Sequence, residues 1–384
     1  MLNSYTKNEV LKMLKDDCEN IKIKSHVIML EDSLNHVLAK DVISKVNIPE
    51  SDIAQIDGYA INHEGLYGVD YYEPIRFDIV NENEINLTQI KKVSKGDKLP
   101  LGADSVIDIK YVKEYGSYVT INRPINKNSG VCFKGSTVKE NDVVLRKNTL
   151  LNSFHIGLLA SLNEFMVEVY KKVKIGIIST GNNIIKVRDK DINKDIDICS
   201  YILLSELEKK RCVGISYGIY KNADKEVLDK ATKECDIVII LNYDKNKFFL
   251  ESGKCYFEDI LISPSKNALI YNINSTFVYV FDSMPKDVLI GFRELVNPVM
   301  NYMLDIKDSE GYIDAISLYN IPARKGINEY VFVKIMEEKD ETYFEAIDFD
   351  ASYSEVMRDA NGYIEISKNK DKIEKDETVK VTLL

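Results

Sequence analysis

A chain of 384 residues, 45% hydrophobic and 29% charged, has the make-up of an ordinary soluble protein, with room for about two to four domains. Its net charge of −10 excludes a general nucleic-acid binder, which needs a basic stripe against phosphates, yet allows an anionic small ligand in one basic pocket. The six cysteines (Cys18, Cys132, Cys199, Cys212, Cys235, Cys255) and four histidines (His26, His36, His63, His155) are scattered with no CxxC, a pattern of reduced thiols in a cytoplasmic protein rather than a disulfide framework or zinc site.

Residues 4–21 read as an amphipathic helix with Val10, Leu11 and Leu14 on one face. Acids among its lysines set it apart from a secretory leader, and no apolar run in the chain approaches a membrane span. Next, the pattern predicts a short strand at Val27–Leu30 and then a helix with Leu34, Val37 and Leu38 on its inner face. From about Ile48 to Ile125 the texture is β-rich, with runs at Ser105–Val112 and Ser117–Ile121 and a hairpin turn at Tyr115–Ser117.

Within that stretch, residues 48–60 form an extended, Pro-led segment running into an Asp-Gly turn. Gly58 is expected to take a backbone angle that other residues resist. Asp57 then stands as a fixed, exposed anion, suited to a metal, a cation or a ligand hydrogen bond. Further on, Asn152 and Ser153 cap a helix over residues 153–163.

At Val173 the chain changes character. Residues 172–180 are an almost uninterrupted apolar run ending in small residues, as a buried parallel strand would. A helix at Ser200–Arg211, a strand at Val213–Gly218, a helix at Asp224–Cys235 and a strand at Asp236–Leu241 follow. A strand at Thr276–Phe281 and a long helix from Lys286 to Leu304 complete the alternation, which predicts a doubly wound α/β domain with ligands at the carboxyl ends of its strands. Beyond Asp305 strands return, including Tyr330–Met336 and Thr378–Leu383, with the lysine-rich stretch Ser367–Lys375 read as a solvated loop. No GxGxxG, P-loop or nucleophile elbow follows any strand, which argues against an unrelated nucleotide-binding α/β enzyme.

Several short stretches recur in one family in this order. They are Leu38-Ala39-Lys40-Asp41-Val42, Asp57-Gly58-Tyr59-Ala60, Leu99-Pro100-Leu101-Gly102-Ala103-Asp104-Ser105-Val106, Gly157-Leu158-Leu159-Ala160-Ser161-Leu162, Ile178-Ser179-Thr180-Gly181 and Ala360-Asn361-Gly362-Tyr363-Ile364. Nearly end to end, the chain resembles the molybdopterin molybdenumtransferase family, the MoeA proteins and the E domain of gephyrin. The resemblance implies an α/β plus β-rich, multidomain elongated architecture. Its parts would be an N-terminal helix over 1–24, a linking α+β domain over 25–47 and 141–172, a β-rich lobe over 48–140, an α/β molybdopterin-binding-like domain over 173–304 and a C-terminal β domain over 305–384. It also implies a homodimer that inserts molybdate into adenylylated molybdopterin with release of AMP, using Mg2+. Acidic groups would hold the cation, and backbone N–H groups with lysines would cradle phosphate.

The departures from the family pattern fall on the loops of the expected cleft. Asp57 is kept, but the polar residues before it have become Ile53-Ala54-Gln55-Ile56, and a threonine position carries Lys95. An acidic pair after Ser179-Thr180-Gly181 reads Asn182-Asn183, which brings no charge to a divalent metal. A glycine-rich loop reads Leu241-Asn242-Tyr243-Asp244-Lys245-Asn246-Lys247, and a two-lysine segment reads Ser263-Pro264-Ser265-Lys266-Asn267. The site implied by resemblance thus comprises Asp57 as catalytic and metal-binding residue and Asp244 as a stand-in metal ligand. Lys266, Thr180, Gly181, Asn183 and Lys95 would bind the cofactor. Two readings follow: a transferase of reduced or lost activity, or a non-catalytic, dimeric binding or scaffold protein of the same family, its cleft re-tuned for another anion by Lys95.

Overall fold

In the computed structural model, residues 4–18, 21, 23–221, 225–243, 254–307, 311–338, 340–348 and 351–384 are described. The chain forms two compact units, one of Met1–Ile28, Asn35–Val37 and Glu168–Leu384, the other of Met29–Leu34 and Leu38–Val167.

The second unit is built on a six-stranded sheet in the order Ser105–Asp108, Gly58–Ile61, Gln89–Val93, Ile75–Ile79, Tyr118–Ile121, Val112–Glu114. Alternation buries Tyr59, Ile61, Phe77, Ile90, Ile107, Val119 and Ile121 in one core. The opposite face of Gly58–Ile61 packs Ala60 against Ala54, Val93, Val106 and Val131. The expected hairpin is present: Val112–Glu114 and Tyr118–Ile121 pair antiparallel around Gly116, whose φ of 78° suits the turn. Asn152 caps the helix Ser153–Ser161 through a capping box with His155.

Two expectations in this unit are corrected. Gly58 does not sit in the left-handed region; it opens a strand, and a Cβ there would lie 2.0 Å from the Ile107 carbonyl oxygen. Close strand approach, not a turn angle, demands the glycine. Nor does a helix follow the strand Ser25–Met29. A single 3-10 turn, Leu30–Asp32, is capped by Ser33 and followed by Asn35 at φ 67°. Leu34 is consequently exposed while Val37 and Leu38 are buried.

The first unit holds a six-stranded sheet in the order Val213–Tyr220, Lys174–Thr180, Ile237–Asn242, Thr276–Asp282, Leu269–Ile273, Lys254–Phe257. The first four strands are parallel and the last two antiparallel. Helices Cys199–Lys209 and Lys225–Glu234 connect the parallel strands, and the run Pro285–Leu304 follows them. That long helix is not uniform. Pro298 has no N–H to offer the Glu294 carbonyl, and the register widens to π over Phe292–Val296. Helix Lys7–Cys18 adds Val10, Leu14 and Cys18 to the same core.

The C-terminal strands close into a barrel. Asn328–Glu338, Glu341–Ala346, Tyr312–Ser317, Thr378–Leu383 and Gly362–Ile366 pair in sequence, and Gly362–Ile366 returns to Asn328–Glu338. Val331, Val333, Phe344, Ile364 and Val381 fill its interior. The stretch Ser367–Lys375 is only partly solvated, since Lys372–Ile373 pairs with Ile321–Pro322 and buries Ile373. A mostly buried cluster fastens the barrel to the helices. Lys7 Nζ donates to Glu294 at 2.8 Å and to the Tyr330 hydroxyl at 2.5 Å, and the Tyr363 hydroxyl donates to Glu294 at 2.9 Å.

Candidate functional site

Parallel register aligns the ends of four strands. Tyr220, Thr180, Asn242 and Asp282 stand side by side at the carboxyl edge of the sheet, where an open α/β fold receives ligands. Among them, Thr180 is buried and its hydroxyl donates to the Leu241 carbonyl at 3.2 Å. Gly181 continues the edge, its N–H bonded to the Tyr220 carbonyl at 2.9 Å. Asn182 and Asn183 beyond it are exposed neutral amides.

Directly behind this edge lies Asp197, 5% exposed, just ahead of helix Cys199–Lys209. Its Oδ2 accepts from Ser179 Oγ at 2.5 Å; its Oδ1 accepts from the Tyr243 hydroxyl at 2.7 Å and from Ser200 N at 3.1 Å. A carboxylate has about four acceptor positions, and three are filled from within. The Tyr243 hydroxyl also accepts from Cys199 N at 3.2 Å, and Tyr243 N donates to the Thr180 carbonyl at 2.8 Å. Burial foremost, together with the charge of Asp197, raises the Tyr243 pKa, so its proton stays on oxygen. Burial likewise pushes the neighbouring Cys199 thiol up to about 12.

The loop 263–267 forms the other wall. Ser265 N donates to Asp287 Oδ1 at 2.5 Å, and Asn267 Nδ2 donates to Asp282 Oδ2 at 2.9 Å. Gly291 makes room for the loop: a Cβ there would lie 2.7 Å from Ser265 Oγ. Lys266 points outward as an exposed cation. Burial, reinforced by Asp282, raises the Asp287 pKa and makes it a poor partner for a metal ion.

Beside this loop opens a cavity of about 550 Å³, lined by Ser263, Pro264, Lys286, Arg324, Phe332 and Asp348 among others. Arg324 Nη2 donates to Ser263 Oγ at 2.5 Å, while its Nε and backbone N donate to the buried Glu329 at 3.0 and 2.8 Å. The cavity lining is therefore mostly apolar, with the Arg324–Glu329 ion pair, Lys286 and Asp348 as its charged groups.

In the β-rich unit, the exposed Asp57 carboxylate accepts from Lys95 N at 2.8 Å. The structure thus joins two of the expected residues, through the backbone of Lys95 rather than its exposed side chain. Gly96 at φ 94° and the Asp97 carboxylate on Ser94 N shape that loop. Asp57 and Lys95 belong to one unit; Thr180, Gly181, Asn183 and Lys266 belong to the other. Asp244 lies outside the described residues.

No three His, Cys, Asp or Glu side chains gather into a metal-holding group among the described residues. The donor chemistry agrees. Asp57 is exposed with one N–H partner, Asp197 is enclosed by donors, and burial raises the Asp287 pKa. Among the described residues, no set of acids is gathered that fits a Mg2+ site. Sequence reasoning missed Asp197, Lys286 and Arg324 as wall residues. Asp197 carried a signal, an Asp three positions before Ser200 at a helix start; Arg324, in a Pro-Ala-Arg-Lys-Gly turn, carried none that separates it from a solvated arginine.

Comparison with known proteins bears on this geometry. Residues 6–163 match the model of the MoeA N-terminal region (domains I and II), and residues 314–384 that of the MoeA C-terminal region (domain IV). A molybdopterin biosynthesis protein of Methanocaldococcus jannaschii is 28% identical over 386 residues, 95% of this chain and 93% of that protein. A molybdopterin molybdenumtransferase of Staphylococcus aureus is 25% identical over 298 residues, 72% of this chain and 71% of that one. The crystal structure of the molybdopterin biosynthesis moeA protein of Pyrococcus horikoshii matches with a TM-score of 0.86 and 28% identity, over 100% of both chains.

Proposed function

Because the chain belongs to the MoeA family of molybdenum cofactor biosynthesis proteins, we propose that it binds a molybdopterin-type ligand at the strand-end edge of its α/β domain, with molybdate insertion and AMP release reduced or lost. The carrying observation is the Asp197 carboxylate, closed by Ser179, Tyr243 and Ser200 where the sheet ends. Insertion of a metal oxyanion with release of AMP requires two things: a cradle for phosphate and acids free to hold a cation.

The first requirement has support. The Thr180-Gly181 edge, Asn183 and the exposed Lys266 form polar surface at strand ends, and Lys286 lines the adjoining cavity. Asp57 and Lys95 form a separate hydrogen-bonded pair within the β-rich unit. The second requirement lacks support: among the described residues no three acids gather to hold a cation, Asp197 is enclosed by donors and burial raises the Asp287 pKa. Tyr243 also puts a large side chain where a glycine would let a backbone N–H approach phosphate.

Carried to its limit, the same saturation gives the second reading, a non-catalytic dimeric binding or scaffold protein. Calorimetric titration of the full chain with adenylylated molybdopterin tests ligand binding against a pure scaffold. Saturable binding supports the ligand-binding reading. Absence of binding at high micromolar concentration would contradict it and leave the scaffold.

A further inference from the structure

A second cavity of about 550 Å³ lies wholly in the β-rich unit, lined by Tyr71, Tyr111, Tyr115, Lys110, Lys113 and Arg123 among others. The hairpin builds it. Lys113 and Thr120 are cross-strand partners and both face the cavity, and Tyr111 precedes the first strand as the last residue of a 3-10 turn.

Three features of this cavity ask for a ligand. First, its tyrosines are left in water: Tyr71 is 75% exposed, Tyr115 54% and Tyr111 40%. A concave site with several exposed rings gains free energy when a flat apolar surface covers them. Second, the rings are held in place before any ligand arrives. The Arg123 guanidinium lies 4.0 Å over the Tyr111 ring centroid, and Tyr115 stacks on Tyr118 at 5.3 Å, itself covered by Arg76 at 4.1 Å. Third, the charge is one-sided. No acidic side chain lines the cavity, in a chain of net charge −10. Lys110 is paired with Asp108 at 2.7 Å, but among the described residues no carboxylate pairs with Lys113 or Arg123.

Exposed tyrosine rings and two cations without carboxylate partners, one of them an arginine stacked on a ring, are the elements that recognise a planar heteroaromatic ring joined to a phosphate. We infer that this cavity is a second ligand site, taking a nucleoside monophosphate or a phosphorylated pterin, with the ring against Tyr115 and the phosphate on Lys113 and Arg123, since the Tyr111 ring already carries Arg123 and, at 4.8 Å, Lys110. The volume falls within the range of about 300–1,000 Å³ typical of small-molecule sites. The inference does not rest on the reading of the α/β domain.

The test uses the full chain and 8-azido-AMP, with photolabelled peptides mapped by mass spectrometry and AMP, adenosine, inorganic phosphate and a phosphorylated pterin as competitors. Labelling within residues 110–123, competed by AMP or by the phosphorylated pterin, is the expected result, and which of the two competes identifies the source. Arg123→Gln and Tyr115→Ala, both at exposed positions, should each weaken that labelling about tenfold, the loss of one charge-assisted bond or one stacking contact. Lys266→Gln, in the other unit, should leave it unchanged, which separates this site from any AMP bound at the strand ends. Absence of label in residues 110–123, inorganic phosphate competing as well as AMP, or both variants labelling within about twofold of the parent would overturn the inference.

Discussion

The Tyr243 hydroxyl donates to Asp197 Oδ1 at 2.7 Å, linking the residue after one parallel strand to the residues ahead of the helix that follows its neighbour. This bond closes the carboxyl edge of the sheet from within. Because Asp197 is buried, removing a donor leaves an acceptor short of partners. Tyr243→Phe should cost about 1.5–3 kcal/mol, and Asp197→Ala, which strands Ser179, Ser200 and Tyr243 together, should cost more. Urea denaturation with unchanged m-values checks both; a Tyr243→Phe protein as stable as the parent would refute the closed-edge description.

Asp57 is expected to behave differently. Its carboxylate is exposed and its partner is the Lys95 N–H, which water satisfies if the acceptor is lost. Asp57→Ala should shift folding stability by no more than about 0.5 kcal/mol, while lowering affinity for adenylylated molybdopterin about tenfold, the worth of one charged hydrogen bond. Equal affinity in the variant would remove Asp57 from the site.

A pH dependence follows from Lys7. Burial disfavours its charge, yet Glu294 and Glu365 outweigh that effect and raise its pKa above 10.5. A raised lysine pKa means that the folded state holds the proton more tightly than the unfolded chain. The contribution is therefore complete below pH about 10.5 and lost as pH rises through the higher folded value. Glu294→Ala, which leaves Lys7 partly buried without its main partner, should cost about 3 kcal/mol at neutral pH. In Lys7→Met the alkaline loss of stability should be blunted. Both are read from thermal unfolding across pH 7 to 11.

The thiols divide by burial. Cys18, Cys199 and Cys212 are each pushed up to about 12 by burial and are poor nucleophiles at neutral pH. Cys255 is exposed and Cys132 half-buried. A thiol reagent at pH 7.5 should modify Cys255 and Cys132 first and reach Cys18, Cys199, Cys212 and the buried Cys235, whose pKa burial also raises, only after denaturation, as mass spectrometry of the peptides would record.

The sequence made the sheet of the α/β domain legible because its strands are buried on both faces and read as unbroken apolar runs; Lys174–Thr180 has one exposed residue, its first. The segment after Met29 misled because Leu34, Val37 and Leu38 fall at helical spacing by coincidence, and one left-handed residue, Asn35, overrides the pattern. Gly58 was legible as a required glycine but not for its reason, since an Asp-Gly pair reads as a turn while the constraint comes from a neighbouring strand. The site was harder. Asp57 could be singled out from its motif, but its partner is a backbone N–H 38 positions away, which no side-chain pattern encodes. Asp197 escaped notice because its partners Ser179 and Tyr243 lie 18 and 46 positions away, on elements that only the parallel register brings together.

The measurement that tests the account most directly is the rate of molybdate- and Mg2+-dependent AMP release from adenylylated molybdopterin, run beside an active molybdopterin molybdenumtransferase. Release about a hundredfold slower or more is expected, because among the described residues no group of acids is gathered to hold the cation that stabilises the departing phosphate. Release within about tenfold of the active enzyme, abolished by Asp57→Ala, would contradict it and return full catalysis to these residues.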